Sequence, residues 1–170
     1  MAKVTQSIVV AAPVEKLFDI VSDFGAYPKF LPEIVRADVI SASATKAEVA
    51  FTANIVKRID YTMAFRIRRP KEIIWSMVEG DMLIKSNDGF WKFEELEKNL
   101  TDLTFSCEMH LNIWLPSSIA EGVITSHLPK MMEGFKAQAE AGRSPSRKAA
   151  SKPPAARKKR ASAKSGKKCR

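Results

Sequence analysis

Cysteine is scarce in this chain. Cys107 and Cys169 are the two among 170 residues, too few for a disulfide framework and without the spacing of a metal site. Histidine is equally sparse, with His110 and His127 far apart and no carboxylate motif beside either, which is a weak basis for metal binding. Glycine signatures are missing as well. There is no G-x-G-x-x-G, no P-loop, no G-x-S-x-G and no C-x-x-C, which argues against a nucleotide-dependent enzyme, an α/β-hydrolase and a zinc protein. No apolar run approaches the roughly 20 residues of a membrane span. The run Ile8–Val14, closed by Glu15, is too short for a secretory core. These absences lead to the expectation of a cytoplasmic protein with no metal or cofactor.

Acidic residues are absent from one region, and that region governs the charge. Residues 143–170 hold 12 of the 28 Lys and Arg and no Asp or Glu. The first 142 residues then carry 16 basic against 19 acidic residues, so the high pI belongs to the tail. That tail, RSPSRKAASKPPAARKKRASAKSGKKCR, has no aromatic or large aliphatic residue. It cannot bury enough surface to offset its ordering entropy and is expected to be disordered. Its clusters Arg157-Lys158-Lys159-Arg160 and Lys167-Lys168 should attract polyanions: ribosomal RNA, other nucleic acid or an anionic membrane. Without interleaved aromatics, base stacking is not indicated.

What is present upstream is a domain, residues 1–142. Lys3–Ala11 reads as a strand, Val14–Ser22 as a helix opened by Pro13, and Tyr27–Leu31 as a second short helix closed by Pro32. Strands are expected over Glu33–Ile40, Ala44–Val56, Arg58–Arg69, Lys71–Glu79, Leu83–Glu97 (bulged near Gly89) and Leu103–Trp114. Ile59, Tyr61, Met63, Phe65 and Ile67 alternate with Arg58, Asp60, Thr62, Arg66 and Arg68. Such alternation implies an antiparallel sheet with one covered face. The long helix Pro116–Ala141 offers Ile119, Val123, Met131, Met132, Phe135 and Ala139 as its apolar stripe. Pro116 suits its first helical position, Pro129 should kink or split it near His127, and Gly142 should stop it. Strands closed by a terminal helix suggest α+β, with a curved sheet folded around that helix.

The opening Ile8-Val-Val-Ala-Ala-Pro-Val-Glu-Lys-Leu-Phe18, the run Asp23-Phe-Gly-Ala-Tyr-Pro-Lys-Phe-Leu-Pro-Glu33 and the segment Gly89-Phe-Trp-Lys-Phe93 before the closing helix resemble the START-like superfamily (SRPBCC, Bet v 1-like, helix-grip fold). Within it the chain is most similar to the polyketide cyclase/dehydrase group, which includes coenzyme Q-binding proteins and the bacterial ribosome-association toxin. The resemblance covers about residues 3–141, and Tyr27–Pro32 is its most specific piece. It implies a deep hydrophobic cavity between sheet and helix that holds a lipid, quinone or polycyclic ligand. Many such proteins are carriers or chaperones, so no catalytic residue is carried over. The positions implied for the cavity are Tyr27, Phe30, Leu31, Phe51, Tyr61, Met63, Phe65, Trp75, Met77, Trp91, Phe93, Met109, Val123, His127, Met131 and Phe135.

Among polar residues, Tyr61 and Glu79 share faces with inward apolar residues, and His127 stands near the helix proline. Glu79 is expected to be solvated at a strand end, His110 to face solvent, and Cys107 to be a small core residue. Three functions compete: a non-enzymatic carrier of a hydrophobic molecule, a ribosome-associated regulator acting through the tail, and a polyketide cyclase or aromatase. For the third, Glu79, Tyr61 and His127 are the candidates for acid–base work.

Overall fold

The structure, a computed structural model, describes residues 2–55, 57–112 and 116–141. The basic segment with Arg157, Lys158, Lys159, Arg160, Lys167 and Lys168 lies outside the described residues, as do Gly142 and Ile113. No helix among the described residues is long and apolar enough to cross a membrane.

The elements run β1 (Ala2–Val10), α1 (Val14–Ser22), a 3-10 helix (Phe24–Lys29), β2 (Ile34–Ala42), β3 (Lys46–Asn54), β4 (Arg58–Arg68), β5 (Glu72–Gly80), β6 (Ile84–Glu97), β7 (Leu100–Leu111) and α2 (Ser117–Glu140). One seven-stranded antiparallel sheet has the order β1-β7-β6-β5-β4-β3-β2. Consecutive strands from β2 to β7 pair as hairpins, and β1 closes on β7, with Ala2 opposite Met109 and Val10 opposite Thr101. Because β1 and β2 are the two edges, the chain between them must cross the width of the sheet. The α1 and 3-10 segments make that crossing. The result is the α+β helix-grip architecture, a curved sheet closed by a terminal helix.

Alternation decides which face is covered. On β4, Ile59, Met63 and Phe65 are buried while Arg58, Asp60, Arg66 and Arg68 are exposed. On β7, Leu103, Phe105 and Cys107 point into the core. The far end of α2 is tied down by packing and polarity together. Met132, Phe135 and Ala139 are fully buried, and Glu140 Oε1 accepts a hydrogen bond from the Ala11 amide at 2.9 Å. Nearby, the buried Thr101 hydroxyl donates to the Ala12 carbonyl at 2.8 Å.

The sequence-based picture needs local corrections. The second short helix is a 3-10 helix that starts at Phe24, because Phe24 is itself a core residue, stacked on Phe65 at 4.0 Å. Pro129 does not split α2, which is a single helix of 24 residues. Leu128, Met132 and Phe135 are buried around it. At about 2 kcal/mol each, they outweigh the roughly 3 kcal/mol that an interior proline costs. Pro116 precedes the first helical residue, in extended conformation. Ile119, assigned to the inward stripe, is half exposed, and Leu128 takes an inward place in its stead. The β6 bulges fall between Ile84 and Ser86 and between Glu95 and Glu97, not at Gly89.

Candidate functional site

The concave face of the sheet and α2 do not close completely on one another. Between them lies a cavity of about 470 Å³, within the range of small-molecule sites. Its walls come from every strand from β2 to β7. Phe51, Tyr61, Met63 and Phe65 line one side, with Trp75, Trp91 and Met109 across the sheet. The helix contributes Val123, His127 and Met131, and the segment after α1 contributes Tyr27 and Leu31. All of these are positions that the sequence nominates. The structure brings them around one space.

Four nominated residues lie elsewhere. Phe135 is one helical turn past Met131, fully buried, and packs edge-on behind Tyr27 and Trp91 with centroids 5.2 Å from both. Phe30 sits beyond it, 5.4 Å from the Phe135 ring. Phe93, one alternation past Trp91, is taken by α1, with its ring 4.9 Å from Phe18. Met77 fills the space over Gly80, where its Sδ and Cε would be 2.8 Å from any added Cβ. Phe30, Phe93 and Phe135 are each taken by a neighbouring element, and Met77 folds over its own strand.

Other lining residues were not nominated: Glu33, Ile34, Ile55, Lys57, Ile59, Leu83, Ile84, Asn87, Phe105, Cys107, Leu111, Ile124 and Leu128. Alternation along β4 and β7 turns Ile59, Phe105, Cys107 and Leu111 inward. For Asn87 alternation is ambiguous, because it carries a lysine inward as well. Strict alternation back from Trp91 through Gly89 puts Asn87 and Lys85 inward together. The bulge after Ile84 lets Ile84 take the inward place and leaves Lys85 exposed.

The polar groups fall into two sets. Deep in the cavity, Asn87 Oδ1 receives the Trp75 indole N–H at 3.1 Å and the Cys107 thiol at 3.2 Å. Tyr61 lies near this set. Burial pushes its phenol pKa well above the ordinary tyrosine value, and the charge of Cys107 adds to the shift. Burial pushes the Cys107 thiol up to about 12, helped by the charges of Asp88 and Glu108. The Tyr27 phenol is also raised well above its usual value, by burial first and the Asp23 charge second, and its hydroxyl donates to the Val21 carbonyl. At the helix side, His127 Nδ1 stands 3.9 Å from Glu33 Oε1. That is beyond hydrogen-bond range, and this nitrogen is a buried polar atom with no partner among the described residues.

Glu79 is exposed at the end of β5, clear of the cavity. His110 lies outside as well, 3.4 Å from Glu108 Oε1. No group of three or more His, Cys, Asp and Glu side chains among the described residues could hold a metal ion.

Solved structures with the same fold share little sequence with this chain. A START superfamily protein from Mycobacterium smegmatis superposes with TM-score 0.76 at 18% identity, over 83% of this chain and 99% of that one. The aromatase/cyclase Zhui from Streptomyces sp. R1128 gives 0.71 at 14% identity, over 81% and 93% of the two chains. A STAR-related lipid transfer protein from Xanthomonas axonopodis gives 0.69 at 11% identity, over 81% and 85%. A search of curated protein sequences finds no match. The model of one family, described as polyketide cyclase/dehydrase and lipid transport, matches residues 10–136. With the helix-grip fold and its apolar cavity in place, the chain belongs to that polyketide cyclase/dehydrase and lipid transport family.

Proposed function

We propose that this domain is a non-enzymatic carrier or chaperone that holds one neutral, largely apolar small molecule between its sheet and α2. The observation that carries this reading is the cavity of about 470 Å³, walled by aromatic and aliphatic side chains from six strands and the helix. Transfer of an apolar molecule from water into such a space is favourable in proportion to the surface it buries. Burial favours the neutral forms of Tyr61 and Cys107, so neither serves as a base near neutral pH. That supports holding over turnover. The 12 Lys and Arg of residues 143–170 would keep the loaded domain near a polyanionic surface, through contacts that weaken with salt.

The test is native mass spectrometry of the full-length protein with solvent extraction of anything bound, alongside entry of an apolar fluorescent dye. Wild type should carry or take up one molecule per chain, and Met63→Trp, which fills the cavity, should not. A bare native mass together with exclusion of the dye removes the carrier reading. Turnover of an aromatic polyketone that is lost in His127→Ala would replace it with a cyclase.

A further inference from the structure

We infer that Asn87 and Tyr61 form a hydrogen-bond-donating subsite inside the cavity, selective for an apolar ligand that carries a carbonyl oxygen. The inference rests on the carrier reading and narrows it to a ligand class.

The argument begins with Trp75. An indole N–H donates and cannot accept, so the atom of Asn87 that it meets at 3.1 Å has to be the amide oxygen. The Cys107 thiol donates to the same oxygen at 3.2 Å. Both lone pairs of Oδ1 are then in use. A flip of the amide would set N–H against N–H and leave a buried indole donor without an acceptor. The orientation of Asn87 is therefore decided by chemistry, not by fitting. Its NH2 group has no hydrogen-bond partner among the described residues, although Asn87 is only 9% exposed and lines the cavity. The Tyr61 hydroxyl is in the same position: it lines the cavity and has no partner among the described residues. Tyr27, the other tyrosine, spends its hydroxyl on the Val21 carbonyl. Cys107, which touches Asn87, lines the same cavity as Tyr61.

Donors that a bound molecule would cover call for acceptors on that molecule. The Asn87 NH2 can only donate, so the matching ligand atom is an acceptor. A carboxylate is disfavoured because Lys57 is exposed in the β3–β4 turn and His127 stands beside Glu33 at the helix side, so an anion at Asn87 would be buried without a counter-charge. A pure hydrocarbon would leave both donors unpaired. A carbonyl oxygen accepts and has no proton of its own, which suits a cavity that offers donors.

The experiment uses one ring skeleton in three forms: fluorene, fluorenone and fluorene-9-carboxylate. Binding to the full-length protein is followed by tryptophan quenching and calorimetry, and the carbonyl band of bound fluorenone by infrared spectroscopy. Wild type should prefer fluorenone to the other two, with its carbonyl band moved to lower frequency. Tyr61→Phe and Asn87→Asp should each weaken fluorenone by roughly five- to tenfold, the size of one hydrogen bond, and reduce the band shift. Tyr61→Phe should leave fluorene binding unchanged. Asn87→Asp keeps an acceptor for Trp75 and Cys107 but places a carboxylate in the cavity, so its urea midpoint is measured beside its binding, and Tyr61→Phe, which adds no charge, carries the test of the lost donor. Equal binding of fluorene and fluorenone by wild type, or an unshifted carbonyl band, overturns the subsite and leaves the carrier reading standing. Failure of all three compounds to bind overturns both.

Discussion

The indole of Trp75 lies across its cross-strand partner Gly89. A Cβ at position 89 would stand 2.4 Å from Trp75 Cζ2 and 2.2 Å from the Ser106 carbonyl oxygen. Gly89 therefore seats the ring whose N–H holds Asn87 at 3.1 Å, and the glycine in mid-strand serves the cavity wall.

Replacing Gly89 with Ala should destabilise the protein by at least ~3 kcal/mol. That is the upper end for overpacking, because one of the clashing atoms is backbone and cannot rotate away. Urea unfolding measures it. A loss below ~1 kcal/mol would mean that Trp75 and β7 yield easily.

Two glycines of α2 should respond in opposite directions. Gly134 faces Leu31, whose Cδ2 would be 2.8 Å from an added Cβ, with the Phe30 carbonyl at 3.3 Å. Gly122 has nothing within 4 Å. In an open helical position Gly→Ala gains about 1 kcal/mol, so Gly122→Ala should stabilise by up to that amount. Gly134→Ala should instead cost about 1–2 kcal/mol net, since Leu31 is packed at 1% exposure. The same sign for both variants would contradict the contact between helix and loop.

Tyr27 and Tyr61 are the two tyrosines of the chain, and both phenols are held above their ordinary value by burial. The folded state then keeps protons that the unfolded chain releases, so stability is complete below about pH 10 and falls as pH rises beyond it. An ultraviolet titration should show tyrosinate absorbance appearing together with loss of the near-ultraviolet circular dichroism. Smooth ionisation of one tyrosine near pH 10 with the fold intact would contradict the burial.

With its thiol pushed up to about 12, Cys107 should be nearly inert in the folded protein. At pH 8 the thiolate would be roughly one part in ten thousand. In a Cys169→Ser variant, which leaves Cys107 as the sole thiol, labelling by a thiol reagent should be slow until denaturant is added. Reaction at the rate of an exposed cysteine would show that the cavity admits water and reagent freely.

The secondary structure was legible where side chains repeat. Val14–Ser22 was read with its observed bounds, and β4 showed its two faces in the sequence, because a half-buried strand must alternate. About half of the cavity wall, 12 of its 25 lining residues, was legible through the family resemblance. Other residues were not legible, for reasons outside their own strands. Phe93 and Trp91 look alike in sequence, yet α1 claims one and the cavity keeps the other. Asn87 shares the inward face of Trp91 by alternation, but only the indole on β5 shows what its polar side chain does there.

The sequence by itself determined the order of elements, the covered face of the sheet and the concentration of basic charge in residues 143–170. These depend on local period and composition, which a linear chain displays directly. Only the tertiary structure decided that β1 closes on β7, that α2 runs unbroken through Pro129, and that Trp75, Cys107 and Asn87 meet at one point. Those outcomes depend on contacts between residues far apart in sequence, where packing energy outweighs local preference.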